Sequence, residues 1–199
     1  YTAVKISKRL EQFNIFLMEE PCPPDNLQAI AEVKKKSNVP ISAGERVYSI
    51  YGFEDLFAKN AVDIAQPDIF HAGGIYESKK IAAMAQAKHI PVSFHNPSGP
   101  ISNAAILQLA ATVPNFLIHE IMLTDGSFRK RVTNEKVVFE DGYIKINDCV
   151  GLGIEINEDV IEEYPYKPRN LRHYNNALTN IRPLDDNNYY FEGIGNKND

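Results

Sequence analysis

Little in this chain points to a membrane, a nucleic acid or an oxidising compartment. Its 199 residues include two cysteines, Cys22 and Cys149, far apart in sequence and not a disulfide framework. Apolar runs such as Ile15-Phe16-Leu17-Met18 are a few residues long, against the roughly 20 that a bilayer span needs. No basic start followed by an apolar core reads as a secretory signal. Asp and Glu number 26 against 21 Lys and Arg, a formal net charge of −5, so no basic face for nucleic acid is expected. A reduced, cytoplasmic protein with no membrane and no nucleic-acid partner is the expectation. The length suits one ordinary domain with a real core. The chain opens at Tyr1, inside a helix-like stretch over residues 3–13, and reads as part of a longer polypeptide.

What is present is a repeat. Short β-prone runs recur at residues 15–18, 40–43, 62–66, 91–94 and 116–118. They are continuously apolar rather than alternating, as strands buried on both faces of a parallel sheet are. Helical spacing lies between them. Asp25-Asn26 can cap a helix carrying Leu27, Ile30 and Ala31 inward, and the Lys34-Lys35-Lys36 run reads as its solvated, dipole-compatible end. Further helices are expected at 53–59, at 75–88 with Ile75, Ile81, Ala82 and Ala85 inward, and at 101–112 with Ile101, Ala105 and Leu109 inward. Strand and helix alternate throughout, which predicts an α/β fold with right-handed crossovers.

The residues ending the strands carry the chemistry. They are Glu19, Glu45, Asp68, His95 and Glu120, separated by 26, 23, 27 and 25 positions, one βα unit each time. Ionisable groups at every strand end belong to the mouth of a (β/α)8 barrel. An open doubly wound sheet gathers its site at one switch point instead. A complete barrel takes about 250 residues, so the five strands predict the C-terminal part of a barrel, with three more upstream. Residues 1–120 form this partial barrel domain. Residues 121–164 are expected to hold a hairpin, with strands at 137–139 and 143–146 about Glu140-Asp141-Gly142, then a short helix at 157–164. Residues 165–199 read as an extended tail with a disordered end at 195–199.

Glu19 and Glu45, on adjacent strands, can converge on one hard cation. Oxygen ligands favour Mg²⁺, whereas Zn²⁺ would want His or Cys ligands. Alone, two carboxylates are a weak signal, since surface Glu is common. Glu20 reads as a salt-bridged neighbour. Asp68 and His95 also end neighbouring strands, and a carboxylate beside an imidazole fixes its tautomer and leaves the other nitrogen as a base. A structural His–Asp hydrogen bond is the equal alternative. On the strand count, the imidazole should enter the mouth opposite Glu19 and Glu45. His71, His89 and His119 read as ordinary. No serine or cysteine occupies a nucleophile elbow, and Gly73-Gly74 opens the helix at Ile75 rather than cradling phosphate. A divalent cation beside a His–Asp base suits removal of a proton α to a carboxylate.

The ordered set Met18-Glu19-Glu20-Pro21, Gly44-Glu45-Arg46, Gln66-Pro67-Asp68, His71-Ala72-Gly73-Gly74-Ile75-Tyr76-Glu77 and His95-Asn96-Pro97-Ser98-Gly99-Pro100 resembles the enolase superfamily, in its mandelate racemase subgroup, over residues 1 to about 155. Gly44-Glu45-Arg46-Val47-Tyr48-Ser49 and residues 66–85 are similar to gluconate and galactonate dehydratases, and residues 164–172 to archaeal gluconate dehydratases. The resemblance implies Mg²⁺, with Glu19 and Glu45 as two of three ligands and the third upstream of Tyr1. It implies His95 as the base for the C2 proton of an aldonic acid, Asp68 as its orienting partner, and Glu120 beside the substrate carboxylate. The acid for the departing 3-hydroxyl would lie upstream, as would a capping domain towards which residues 121–164 return, and the product would be a 2-keto-3-deoxy sugar acid. The implied partners are a small sugar acid, the N-terminal half of the same polypeptide, and further copies in a homo-oligomer, with an octamer among the states. A racemase or epimerase with the same first step is the alternative, and a non-catalytic fragment or assembly subunit is the other.

Overall fold

The computed structural model of the chain describes residues 1–122, 131–134, 139–146 and 148–165. It divides into two compact units, Tyr1–Ile121 and Met122–Asp199.

In the first unit, helix α1 (Thr2–Leu10) and a 3-10 turn (Glu11–Phe13) precede five strands: β1 (Met18–Glu19), β2 (Ile41–Ala43), β3 (Ile64–Ala65), β4 (Val92–Phe94) and β5 (Phe116–His119). Between them run α2 (Leu27–Lys36), α3 (Ser49–Ala58), α4 (Ile69–Ala72), α5 (Ile75–Ala87) and α6 (Pro100–Ala110). All four pairings are parallel, in the order β1-β2-β3-β4-β5. Sequential order is what a barrel wall has; a doubly wound sheet reverses at its switch point. Among the described residues β1 pairs only with β2, and β5 only with β4.

The helices begin where their caps dictate. Asn26 Oδ1 accepts the Ala29 N–H at 3.0 Å and starts α2. Gly73, with φ of +106°, ends α4, and Gly74 caps α5. Pro100 occupies the first turn of α6, where its missing N–H costs nothing. The core lies between these helices and the sheet. Ile30, Ile41, Phe53, Leu56, Ile81, Val92, Phe94, Ile106 and Leu109 are fully buried there.

Four expectations need correction. Lys34 is no solvated helix end: its Nζ donates to Asn60 Oδ1 at 2.8 Å and the Val62 carbonyl at 2.7 Å, tying α2 to the segment after α3. Ile75 and Ile101 are not inward but 42% and 40% exposed. Each lies in the first turn of its helix. Burial of the strands on both faces fails at both edges of the sheet: Phe116, Leu117 and Ile118 of β5 are 37–49% exposed, and at the β1 edge Phe16 is 58% exposed and Glu19 is exposed. Strand β1 starts at Met18 rather than at residue 15, because its ladder begins with the Met18 N–H on the Pro40 carbonyl at 2.8 Å.

The second unit contains an antiparallel hairpin of β6 (Phe139–Glu140) and β7 (Tyr143–Ile144), and helix α7 (Glu158–Glu163). Asp141 and Gly142 take positive φ in its turn, as a two-residue hairpin loop requires. A bridge pairs Thr133 with Ile156, and Arg131 holds Glu163 at 2.6 and 2.7 Å. The expected strand residues 137 and 138 and the tail beyond 165, with its end at 195–199, lie outside the described residues. No described helix is long and apolar enough to cross a membrane.

Candidate active site

Each polar residue reaches the strand ends by its own local device. Glu19 is the last residue of β1. Glu45 follows β2 in a turn that requires glycine. Gly44 has φ of +141°, and a Cβ there would lie 3.0 Å from the Gln66 main chain and the Phe53 ring. Asp68 leaves β3 and caps α4, its Oδ1 accepting the N–H groups of Phe70 at 2.7 Å and His71 at 3.2 Å. Its other oxygen faces the next strand. Asp68 and His95 form a parallel bridge, and His95 Nδ1 donates to Asp68 Oδ2 at 2.9 Å. Glu120 follows β5 and its Oε2 accepts the Asn96 N–H at 2.7 Å.

The five side chains converge. His95 Nε2 lies 2.9 Å from Glu45 Oε2 and 3.9 Å from Glu120 Oε2. Glu19, Glu45 and His95 offer ligand atoms within 4.8 Å of one another. The expectation that the imidazole would stand opposite Glu19 and Glu45 is therefore corrected: Nε2 meets the Glu45 carboxylate directly. Charge explains this, since a carboxylate facing each ring nitrogen favours the protonated form of the imidazole.

The titration shifts follow from the same geometry. Burial alone would lower His95, but the Asp68 hydrogen bond and the charges of Glu45 and Glu120 raise it above its ordinary value. Burial alone would raise Asp68, but bonds from His95 and the N–H groups of His71 and Phe70 hold it below the usual carboxylate range. Glu19 is raised, first by burial and then by Glu120 and Glu45. Carboxylates that repel one another are a favourable setting for a cation. The Glu19–Glu45 oxygens fit Mg²⁺, and an imidazole in the ligand set would move the preference towards softer ions.

Glu20 is salt-bridged, as expected, and the partner is Arg46, with Nη2 on Oε2 at 2.7 Å. His71 proves less ordinary than expected. Its Nδ1 donates to the Glu45 carbonyl at 2.5 Å, and its ring lies 5.6 Å from that of Tyr48. Its sequence signal was its place in the loop at a strand end, three residues after Asp68. Arg46 had no signal beyond adjacency to Glu45.

Residues 1–160 match the family described as enolase C-terminal domain-like. The chain belongs to that family. Among relatives, it is 33% identical to a D-xylonate dehydratase of Haloferax volcanii, over 82% of this chain and 40% of that protein. It is 33% identical to a D-gluconate/D-galactonate dehydratase of Picrophilus torridus, over 82% of this chain and 42% of that one. An arabinonate dehydratase of Saccharolobus solfataricus is 34% identical, over 83% and 44%. Among solved structures, the 3,6-anhydro-D-galactonate cycloisomerase of Zobellia galactanivorans superposes with a TM-score of 0.78 at 35% identity, over 83% of this chain and 47% of that one. A mandelate racemase/muconate lactonizing enzyme of Jannaschia sp. gives 0.79 at 32%, over 84% and 43%. The chain thus spans 40–44% of the length of these three curated relatives. Its five-stranded parallel sheet is the C-terminal part of the barrel of this enolase C-terminal domain-like family.

Proposed function

We propose that the polypeptide carrying this chain is a Mg²⁺-dependent acid-sugar dehydratase, a hydro-lyase that converts gluconate, galactonate or both to a 2-keto-3-deoxy sugar acid. The observation that carries the reading is the line Asp68–His95–Glu45, with 2.9 Å at both contacts. It sets a base beside a carboxylate pair suited to a cation. Three relatives bear the names of aldonate dehydratases, which favours elimination over other outcomes of the same first step.

Glu19 and Glu45 would hold Mg²⁺, together with a third ligand from upstream. Bound there, Mg²⁺ supplies positive charge against the substrate carboxylate and the charge that develops on it as the C2 proton leaves. Asp68 keeps the proton on Nδ1 of His95, so Nε2 is the nitrogen left to work. Nε2 must give up any proton it shares with Glu45, to solvent, and turn from that carboxylate before its lone pair can accept the C2 proton. Glu120, held by the Asn96 N–H, would sit beside the substrate carboxylate and share a proton with it. The 3-hydroxyl then leaves with a proton from an acid upstream of Tyr1, and the enol tautomerises to the keto acid. The upstream half would supply the remaining strands and the substrate lid, in a cytoplasmic homo-oligomer.

A second reading keeps the first step and ends it otherwise. The likeness to a cycloisomerase and to mandelate racemase-type structures favours it, in the form of an epimerase or racemase. The test is turnover of gluconate, galactonate, xylonate and arabinonate by the full polypeptide with Mg²⁺. A 2-keto-3-deoxy acid that chelator abolishes and Mg²⁺ restores supports dehydration. A C2 epimer would favour the second reading, and no turnover of any of the four would favour a non-catalytic role.

A further inference from the structure

The two carboxylates of the candidate cation site come from the ends of different strands, and strand pairing alone does not fix the distance between their side chains. Glu20 supplies a cross-link. It follows Glu19 with φ of +43°, in the left-handed region that residues other than glycine rarely adopt. Its side chain, 10% exposed, reaches across to the turn after β2. There Oε1 accepts the Gly44 N–H at 3.0 Å, and Oε2 accepts from Arg46 Nη2 at 2.7 Å. Gly44 and Arg46 flank Glu45. One carboxylate, bonded in the chain to the first ligand, thus grips the residue on each side of the second. His71 adds a third hold, on the Glu45 carbonyl. Arg46 is also a rival for the site, since its Nε lies 3.6 Å from Glu45 Oε1.

We propose that Glu20 and Arg46 form a positioning brace that sets the divalent-cation affinity of the Glu19–Glu45 pair. Glu20 fixes the separation of the ligands and, by taking Nη2 of Arg46 at 2.7 Å, limits the guanidinium to a longer, 3.6 Å contact with the Glu45 carboxylate. The inference rests on the cation reading above. Glu20→Gln keeps an acceptor for Gly44 but takes away the anion that Arg46 pairs with. The guanidinium then turns on Glu45, already within reach, and competes with the cation. Removing Arg46 as well relieves that competition.

The experiment is calorimetric titration of Mg²⁺ and Mn²⁺ into the full polypeptide, for the parent, Glu20→Gln, and Glu20→Gln with Arg46→Gln. Melting curves serve as the folding control. Because the Glu20 carboxylate is largely buried, salt at about 0.5 M screens its charge only in part, so Arg46→Lys, which leaves the net charge unchanged, is titrated beside these variants. Glu20→Gln should weaken binding about 10–100-fold, as loss of a group that orients a ligand does, and the double variant should recover about threefold or more. A merely structural role predicts a double variant as weak as the single or weaker. That result, or a Glu20→Gln affinity equal to the parent's, overturns the brace and leaves the cation site standing. A parent that binds neither ion removes the cation reading and the brace with it. If Glu20→Gln fails to fold, Arg46→Lys carries the test. Lysine keeps the charge but lacks the planar fork that spans two carboxylates, so unchanged or tighter binding there overturns the brace and weakened binding supports it.

Discussion

Replacing His95 by asparagine removes one ring nitrogen and keeps a stand-in for the other. The amide N–H takes the place of Nδ1–H, so donation to Asp68 Oδ2, now at 2.9 Å, survives. Nε2 and its 2.9 Å contact with Glu45 do not. Loss of the base should lower kcat by about 10²–10⁴, which is roughly 3–5 kcal/mol of barrier at about 1.36 kcal/mol per tenfold. Stability should change far less, because the pair with Glu45 is partly open to water and worth on the order of 1 kcal/mol or below. Cation affinity should hold or improve, since Glu45 loses a competitor. Keto-acid formation, a thermal melt and a Mn²⁺ titration on the same variant separate these effects. A kcat within about threefold of the parent would refute the assignment of His95 as base, because that is far from the expected loss. A loss of turnover that tracks a loss of Mn²⁺ binding would make His95 a ligand instead.

Other changes probe the remaining parts. Glu45→Gln replaces an anionic ligand by a neutral one and should abolish Mg²⁺-dependent turnover, with no rescue by Zn²⁺; equal activity at the same Mg²⁺ concentration would remove Glu45 from the site. Asp68→Asn should lower kcat by about 10² or more, by loosening the tautomer of His95. Its pH signature has a definite sign. The folded carboxyl of Asp68 is held below its ordinary value, so its stabilisation is complete above about pH 4 and is lost as pH falls through the lower, folded value. Denaturant melts at stepped acid pH should show that loss in the parent and less of it in the variant, and superimposable curves would contradict it. Gly44→Ala forces a side chain onto φ of +141° and against the Gln66 main chain, and should cost about 1–3 kcal/mol in a thermal melt; an unchanged Tm would show that the turn tolerates a Cβ.

The strand ends were legible because an apolar run stopped by one ionisable residue marks both an element and its mouth-facing end. Gly73-Gly74 was legible as a helix start for a similar reason, since one glycine ends α4 and the next caps α5. Helical spacing placed Ile81, Ala82 and Ala85 inward correctly, but a period cannot show how far along a helix its neighbours cover it, and Ile75 and Ile101 in the first turns are exposed. Nor does an apolar run show where its partner begins, which is why β1 is shorter than the run that contains it. Contacts between side chains distant in sequence were the least visible. Glu20 meets Arg46 across 26 positions and Lys34 meets Val62 across 28, and both links depend on turns whose direction is set only once the sheet exists. The direct approach of His95 Nε2 to Glu45 belongs with them, because strand order gives the level of a side chain and electrostatics gives its final rotation.

The central claim is proton abstraction at C2 followed by loss of the 3-hydroxyl, and isotope placement tests it most directly. Gluconate turned over by the full polypeptide in deuterated water with Mg²⁺ should yield a 2-keto-3-deoxy acid carrying deuterium at C3, where the enol is protonated. Recovery of the C2 epimer with deuterium at C2, and no keto acid, would contradict the dehydratase account.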